Sequence, residues 1–464
     1  MGEWSGGFHY RPRERVKGPL FRVVLDHLEE FAMQLAWPRD SKPRPQLRVI
    51  ERFRKYVECG IHRFGVARYR CPKCGDDVFV LFSCKIRGLC PSCDAKRATV
   101  TMANAVDRLL PEQGYRQWVL VVPKRLRFLM DIHSELAGEV ATILARGVEL
   151  FLERRCGKGA PANISFVQRF GNRLNLHQHI HAVISDGVFF KEPGLFGDVL
   201  GFKPAAHPTE AEVLALTESL RRKALRRFRK LGYLSVFEVE KMLSWPHSGF
   251  SVHALAYAPP GDREGLQQLL YYCGRPALSV KSVSYYAKQN RVVYRTEPRG
   301  GESWSLSMEP VEFLRKWALL VPPPRKNLVR YYGALGPNSP LRELLVDAAS
   351  RGTARARLRE KKEAACAELR SWAACLARVF EVFPLVCPKC SVAMVPVAVI
   401  MNDRELVRLL TYLDLPTEFP RMLPARSRPP EVYDCAPPGD DGCQIDPNVD
   451  LYEGINPPGS DEPA

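Results

Sequence analysis

From Leu176 to Ile184 the chain reads Leu-His-Gln-His-Ile-His-Ala-Val-Ile, placing three of its ten histidines at alternate positions before an apolar run. Residues i and i+2 of a β-strand project from the same face. His177, His179 and His181 therefore form one row, with Ile180 on the opposite face. Such a segment requires a sheet with one apolar face and another that accepts imidazoles. Neighbouring imidazoles make a chelate for a metal ion, and that reading outweighs a polar edge strand that merely uses histidine.

The flanking sequence supports a mixed α+β fold. Trp118–Val122 is strand-like and closed by a proline, and residues 129–154 have the apolar spacing of one long helix. Ile164–Phe170 and His177–Val183 read as strands joined by a Gly171-Asn172-Arg173 turn. A charged helix is expected at about 208–231, a strand at Phe250–Tyr257, and a helix after Asp262. Leu20–Leu35 and residues 353–379 also have helical patterns. Strands interspersed with helices, with a hairpin among them, predict an antiparallel sheet packed against helices. The expected regions are 1–105, with a cysteine-rich DNA-docking module; 106–340, the α+β domain; 341–433, helical; and 434–464, a disordered tail rich in Pro, Gly and Asp.

The fourteen cysteines include three Cys-x-x-Cys pairs. Cys71/Cys74 and Cys90/Cys93 are fifteen residues apart, a spacing suited to one four-cysteine zinc site that would staple a segment with little core. Four thiolates leave no open coordination position, so this zinc is structural. Cys59 and Cys84 are further candidate ligands, and Cys387/Cys390 has no obvious second half, with only Cys435 and Cys443 beyond it. The first fifteen residues lack the apolar core of a signal peptide, and no stretch is long and apolar enough to span a bilayer. The expected setting is therefore a reducing cytoplasm, with no membrane partner.

A net charge of +17, from 68 basic and 51 acidic residues, points to a polyanion, most simply DNA. Arg68, Arg70, Lys73, Lys85, Arg87, Lys96 and Arg97 lie around the first cysteine pairs. A chelated metal could polarise a phosphodiester while a protein hydroxyl attacks it. In the helix after Asp262, Leu266, Leu269, Leu270 and Cys273 form the apolar face; Tyr271, Tyr272, Gln268 and Arg275 lie elsewhere, before Pro276 stops the helix. A tyrosine beside an arginine suits attack on phosphate, but helical spacing does not choose between Tyr271 and Tyr272.

In order along the chain, these residues resemble the rolling-circle transposases of the insertion sequence 91 family, HUH (histidine–hydrophobic–histidine) endonucleases that include the common-region elements. Ser83-Cys84-Lys85 before Cys90-Pro91-Ser92-Cys93 is similar to the family's zinc-binding domain. Asn175–His181 followed by Asp186-Gly187-Val188 resembles its HUH segment, and Phe250–Ala254 with Leu270–Pro276 its nucleophile region. Val321–Arg325, Leu328–Tyr331 and Leu423–Arg426 resemble motifs downstream. The resemblance implies an HUH-like sheet and Tyr272 as nucleophile, assisted by Arg275. It also implies Mg²⁺ or Mn²⁺ on His179 and His181, with His253 as third ligand ahead of His177 and Gln268. Two-tyrosine members carry a second tyrosine where this chain has Gln268, so the likeness is to single-tyrosine relatives. The implied reaction is nicking and rejoining of single-stranded DNA at element ends through a 5′-phosphotyrosine. A plasmid replication initiator or relaxase would share this chemistry, and a zinc-containing DNA-binding regulator would leave the histidine row unused.

Overall fold

The computed structural model describes residues 15–36, 45, 47–195, 197–296, 304–350, 387 and 389–425. The expected helix at 353–379, Cys435, Cys443 and the tail from 434 lie outside these residues. The chain begins with helices α1 (Pro19–Ala36) and α2 (Val49–Glu58), strands β1 (Val66–Arg70) and β2 (Asp77–Leu81), and helix α3 (Pro91–Asn104). There follow β3 (Tyr115–Val121), α4 (Lys124–Ile132), α5 (Leu136–Cys156), β4 (Ala162–Phe170), β5 (Leu176–Ser185), and the hairpin β6 (Gly187–Gly194)–β7 (Gly197–Pro204). Next come α6 (Glu210–Lys230), α7 (Val236–Ser244), β8 (Ser251–His253), β9 (Tyr257–Ala258) and α8 (Arg263–Gly274). The rest comprises β10 (Val283–Tyr286), β11 (Arg291–Thr296), β12 (Trp304–Met308), α9 (Pro310–Leu320), β13 (Val329–Gly333), β14 (Val395–Ile400) and α10 (Asp403–Tyr412).

The main sheet runs β13-β4-β5-β3-β8, with β9 also on β3, and every pairing is antiparallel. Burial on both faces explains why the middle strands are apolar nearly throughout. Trp118, Leu120, Ile180, Ala182 and Ile184 pack with α5 and α6 on one face. Tyr115, Val183, Ile164 and Phe166 pack with Leu266, Leu269 and Leu270 of α8 on the other. Each of these leucines contributes on the order of 2 kcal/mol by leaving water. Side-chain caps define the helix starts: Thr209 and Glu212 form a capping box on α6, Ser235 and Glu238 another on α7, and Asp262 accepts from the Gly265 amide on α8.

Several sequence expectations are corrected. The single helix at 129–154 breaks at His133-Ser134-Glu135, where His133 leaves helical dihedrals. The break turns α4 across the start of β5, so Asp131 pairs with buried Arg169. The strand at 250–257 divides into β8 and β9, because its carbonyls at Ala254 and Ala256 bond to the Arg116 guanidinium and the Gln117 amide. Residues from both sides of position 105 share a core. Leu20, Phe31 and Phe53 from the N-terminal helices are buried with Val283, Val292 and Trp317, whose indole lies 5.1 Å edge-on from Phe53. In the described part of 341–433, β14 joins β1 and β2 in a three-stranded sheet.

The proline-rich 321–325 segment also acquires a place. Gly88, at φ +79°, lies so close to the Pro322 ring that a Cβ there would collide with it. Arg52 donates to the Pro322 carbonyl at 3.1 Å, and Arg87 donates to that of Lys326. This seam seats the cysteine-rich segment against the main sheet.

Candidate active site and cysteine clusters

The row formed by His177, His179 and His181 lies on the α8 face of β5, with neighbouring ring centroids 5.2 Å and 4.7 Å apart. His181 is fully buried and His179 nearly so. Tyr272 stands over the inner end of the row, its ring centroid 5.6 Å from that of His181 at 78°. The Arg275 guanidinium lies 4.6 Å from the Tyr272 centroid and 5.7 Å from that of Phe170. Tyr271 is 38 % exposed and points elsewhere around α8. Of the two tyrosines, Tyr272 is the one brought against the histidines.

Two glutamines that sequence reasoning missed hold these pieces together. Cross-strand pairing sets Gln168 beside His179, and its amide donates to the Tyr272 carbonyl at 3.0 Å and the Cys273 carbonyl at 2.8 Å. It thereby anchors the C-terminal turn of α8 to the sheet. The Gln117 amide meets His181 Nδ1 at 2.7 Å and donates to Cys273 Sγ at 3.5 Å. Strand alternation puts both glutamines on the α8 face; pairing them with particular histidines required the register.

The hydrogen bonds sort the imidazoles. His179 Nδ1 donates to the His177 carbonyl at 2.8 Å, which leaves Nε2 as its lone-pair nitrogen. His181 Nε2 is buried without a hydrogen-bond partner. His177 differs, because its Nδ1 accepts from Arg127 at 2.6 Å. Burial pushes His177 down to about 3, aided by the charge of Arg127 and by His179. Burial likewise holds His179 at about 4, against its bond to the His177 carbonyl and with Arg275 and Arg127 adding to the shift. Burial, His179 and Arg275 hold His181 well below the ordinary imidazole value. The row is thus neutral at pH 7, the form that ligates metals. Burial raises the Tyr272 phenol, and Arg275 opposes that rise.

His253, the expected third ligand, lies two strands away from His181. Both His181 and His253 are in register with Val119, which lies between them, so their backbones are two strand spacings, about 10 Å, apart. Gln268 is exposed one turn before Tyr272. Among the described residues, only two groups of three or more His, Cys, Asp or Glu side chains bring their ligand atoms within 4.8 Å of one another, and both consist of cysteines.

Those groups bring the cysteines together in a different pairing from the expected one. Cys90 and Cys93 cluster with Cys59 and Cys84, whereas Cys71 and Cys74 cluster with Cys387 and Cys390. In the first group, Cys59 lies 3.8 Å from Cys90 and 3.7 Å from Cys93, and Cys84 lies 3.7 Å from Cys93. Tetrahedral Zn–S bonds of about 2.3 Å imply S···S separations of about 3.8 Å. The donor set and spacing fit zinc. Cys59 caps the C-terminus of α2 and Cys90 the N-terminus of α3, so β1 and β2, between these helices, carry Cys71 and Cys74 to a different place. Some of the surrounding basic residues are committed locally: Arg68 and Arg70 pair with Asp77, and Arg97 pairs with Asp94.

Residues 25–122 match the model of a transposase zinc-binding domain of insertion sequence 91 type, and residues 163–341 match that described as "Putative transposase". The chain belongs to the insertion sequence 91 family of transposases. The zinc-binding match contains the Cys59/Cys84/Cys90/Cys93 cluster, while the transposase match contains the histidine row, α8 and the 321–325 segment. As in the family, its substrate is DNA. No curated protein and no solved structure matches the chain. Among the described residues, no helix is long and apolar enough to cross a membrane.

Proposed function

We propose that this transposase nicks and rejoins single-stranded DNA at element ends through transesterification by Tyr272. The carrying observation is the packing of Tyr272 between His181 and Arg275, at a buried row of neutral imidazoles on the sheet. His179 and His181 would hold Mg²⁺ or Mn²⁺ through Nε2, and a DNA phosphate oxygen would complete the ligand set. When bound, the ion supplies Lewis-acid polarisation of the scissile phosphate. Gln117 holds the ring of His181 in place for this role through its contact at Nδ1.

Tyr272 Oη forms the new bond to phosphorus as the P–O3′ bond breaks, and the phenolic proton ends, in net balance, on the released 3′-OH. The product is a 5′-phosphotyrosine, and attack by a 3′-OH reverses the sequence without a nucleotide cofactor. Arg275 offsets charge on the phosphate oxygens. Gln168 holds the helix end that carries Tyr272. A cavity of about 140 Å³ with a largely apolar lining lies between the zinc-binding segment and the sheet, and Arg275 is among the residues that border it. Cys59, Cys84, Cys90 and Cys93 would hold the structural zinc beside it.

The test incubates the protein with labelled single-stranded DNA bearing the element ends, with and without Mn²⁺. A metal-dependent covalent adduct is expected, lost in Tyr272→Phe and in His179→Ala/His181→Ala but retained in Tyr271→Phe. Adduct formation by the double histidine variant would refute the metal assignment.

A further inference from the structure

We infer that Cys71, Cys74, Cys387 and Cys390 form a second tetrathiolate zinc site, assembled from opposite ends of the chain. Its two halves are the same sequence, Cys-Pro-Lys-Cys, at 71–74 and 387–390. They also share one backbone design. The Cys71 amide donates to the Asp76 carbonyl at 2.8 Å, and the Gly75 amide donates to the Cys71 carbonyl at 3.0 Å. In the second half, the Cys387 amide donates to the Val392 carbonyl and the Ser391 amide to the Cys387 carbonyl, both at 2.9 Å. The residue after each second cysteine has positive φ, +73° at Gly75 and +53° at Ser391. Two equivalent turns therefore present paired sulfurs towards one point.

The strands bring these turns together. β1 runs into Cys71 and β14 leaves shortly after Cys390; the two pair antiparallel with Arg70 opposite Val395, which puts the turns at the same end. Cys74 and Cys387 Sγ atoms are 3.5 Å apart, and all four sulfurs fall within 4.8 Å. That spacing suits a shared ion and is too long for a disulfide, at about 2.05 Å. Lys389 closes the junction onto Asp76 at 2.9 Å. Beneath it the core comprises, among the described residues, only Cys71, Cys387 and Met394, with Tyr69, Val78 and Cys390 partly buried. So small a core requires a metal to hold it. The transposase zinc-binding match ends at 122 and so contains only half of these ligands. In consequence, the sheet beside the DNA-docking segment is completed only once residues 387–400 have been synthesised.

Zinc content of the purified full chain tests this. Two zinc ions per chain are expected in the wild type. One is expected in Cys71→Ser/Cys74→Ser, in Cys387→Ser/Cys390→Ser and in the variant combining all four changes. One zinc in the wild type, or two retained after Cys387→Ser/Cys390→Ser, overturns the proposal. Should these variants fail to fold, ¹¹³Cd NMR of the substituted wild-type chain decides: two tetrathiolate resonances support the second site, and one refutes it.

Discussion

His181 and Tyr272 meet edge-on, ring centroids 5.6 Å apart, although one belongs to a central strand and the other to a helix packed on that strand. Their relation depends on the sheet register and on the docking of α8 through Leu266, Leu269, Leu270 and Cys273. The glutamines beside them make the arrangement testable without touching either ring.

Gln117→Leu removes the contact to His181 Nδ1 while keeping a side chain of similar size. Mn²⁺ affinity, read from the metal dependence of adduct formation, is expected to fall about 10- to 100-fold. Adduct formation at saturating metal should largely recover. An unchanged metal dependence would remove Gln117 from the site.

Arg275→Ala is expected to slow adduct formation about 100-fold, the scale of losing one charge-stabilising group. Arg275→Lys should restore only part of the rate, because an ammonium keeps the charge but not the planar guanidinium over Tyr272. Single-turnover kinetics at saturating DNA measures both.

The histidine row makes stability depend on pH. Unfolded imidazoles titrate near 6.5, whereas the folded chain holds His177 at about 3 and His179 at about 4. Between those limits the unfolded chain binds more protons. The contribution is therefore complete above about pH 6.5 and is lost as pH falls towards about 4. In EDTA, His177→Gln/His179→Gln should show a smaller drop in Tm between pH 7 and pH 4.5 than the wild type. Equal drops would contradict the burial argument.

Arg116 and Asp186 form a two-pronged pair at 3.1 Å and 2.8 Å, both nearly fully buried. Asp186→Ala would leave the guanidinium without its carboxylate and should cost about 3–5 kcal/mol in urea unfolding. A change below about 1 kcal/mol would mean that water or the Ala254 carbonyl satisfies Arg116.

Alternation made the His179/His181 row legible, because a period of two fixes a face without reference to any other strand. The leucine spacing of α8 likewise revealed its buried side. Spacing could not separate Tyr271 from Tyr272, since both border that side; packing against β5 separates them. The roles of Gln117 and Gln168 depend on cross-strand register, which no local pattern encodes. The cysteine pairs were recognisable, but their partners were not. Cys74 is 313 residues from Cys387, and proximity in sequence made Cys90 look like the natural complement.

The measurement that bears most directly on the central claim is mapping of the DNA-linked residue. The adduct formed with Mn²⁺ is digested with nuclease and protease, and the modified peptide is sequenced by fragmentation in a mass spectrometer. The account predicts a nucleotide joined through its 5′-phosphate to Tyr272. Attachment at Tyr271 or at any other residue, or cleavage of the DNA without a covalent intermediate, would contradict it.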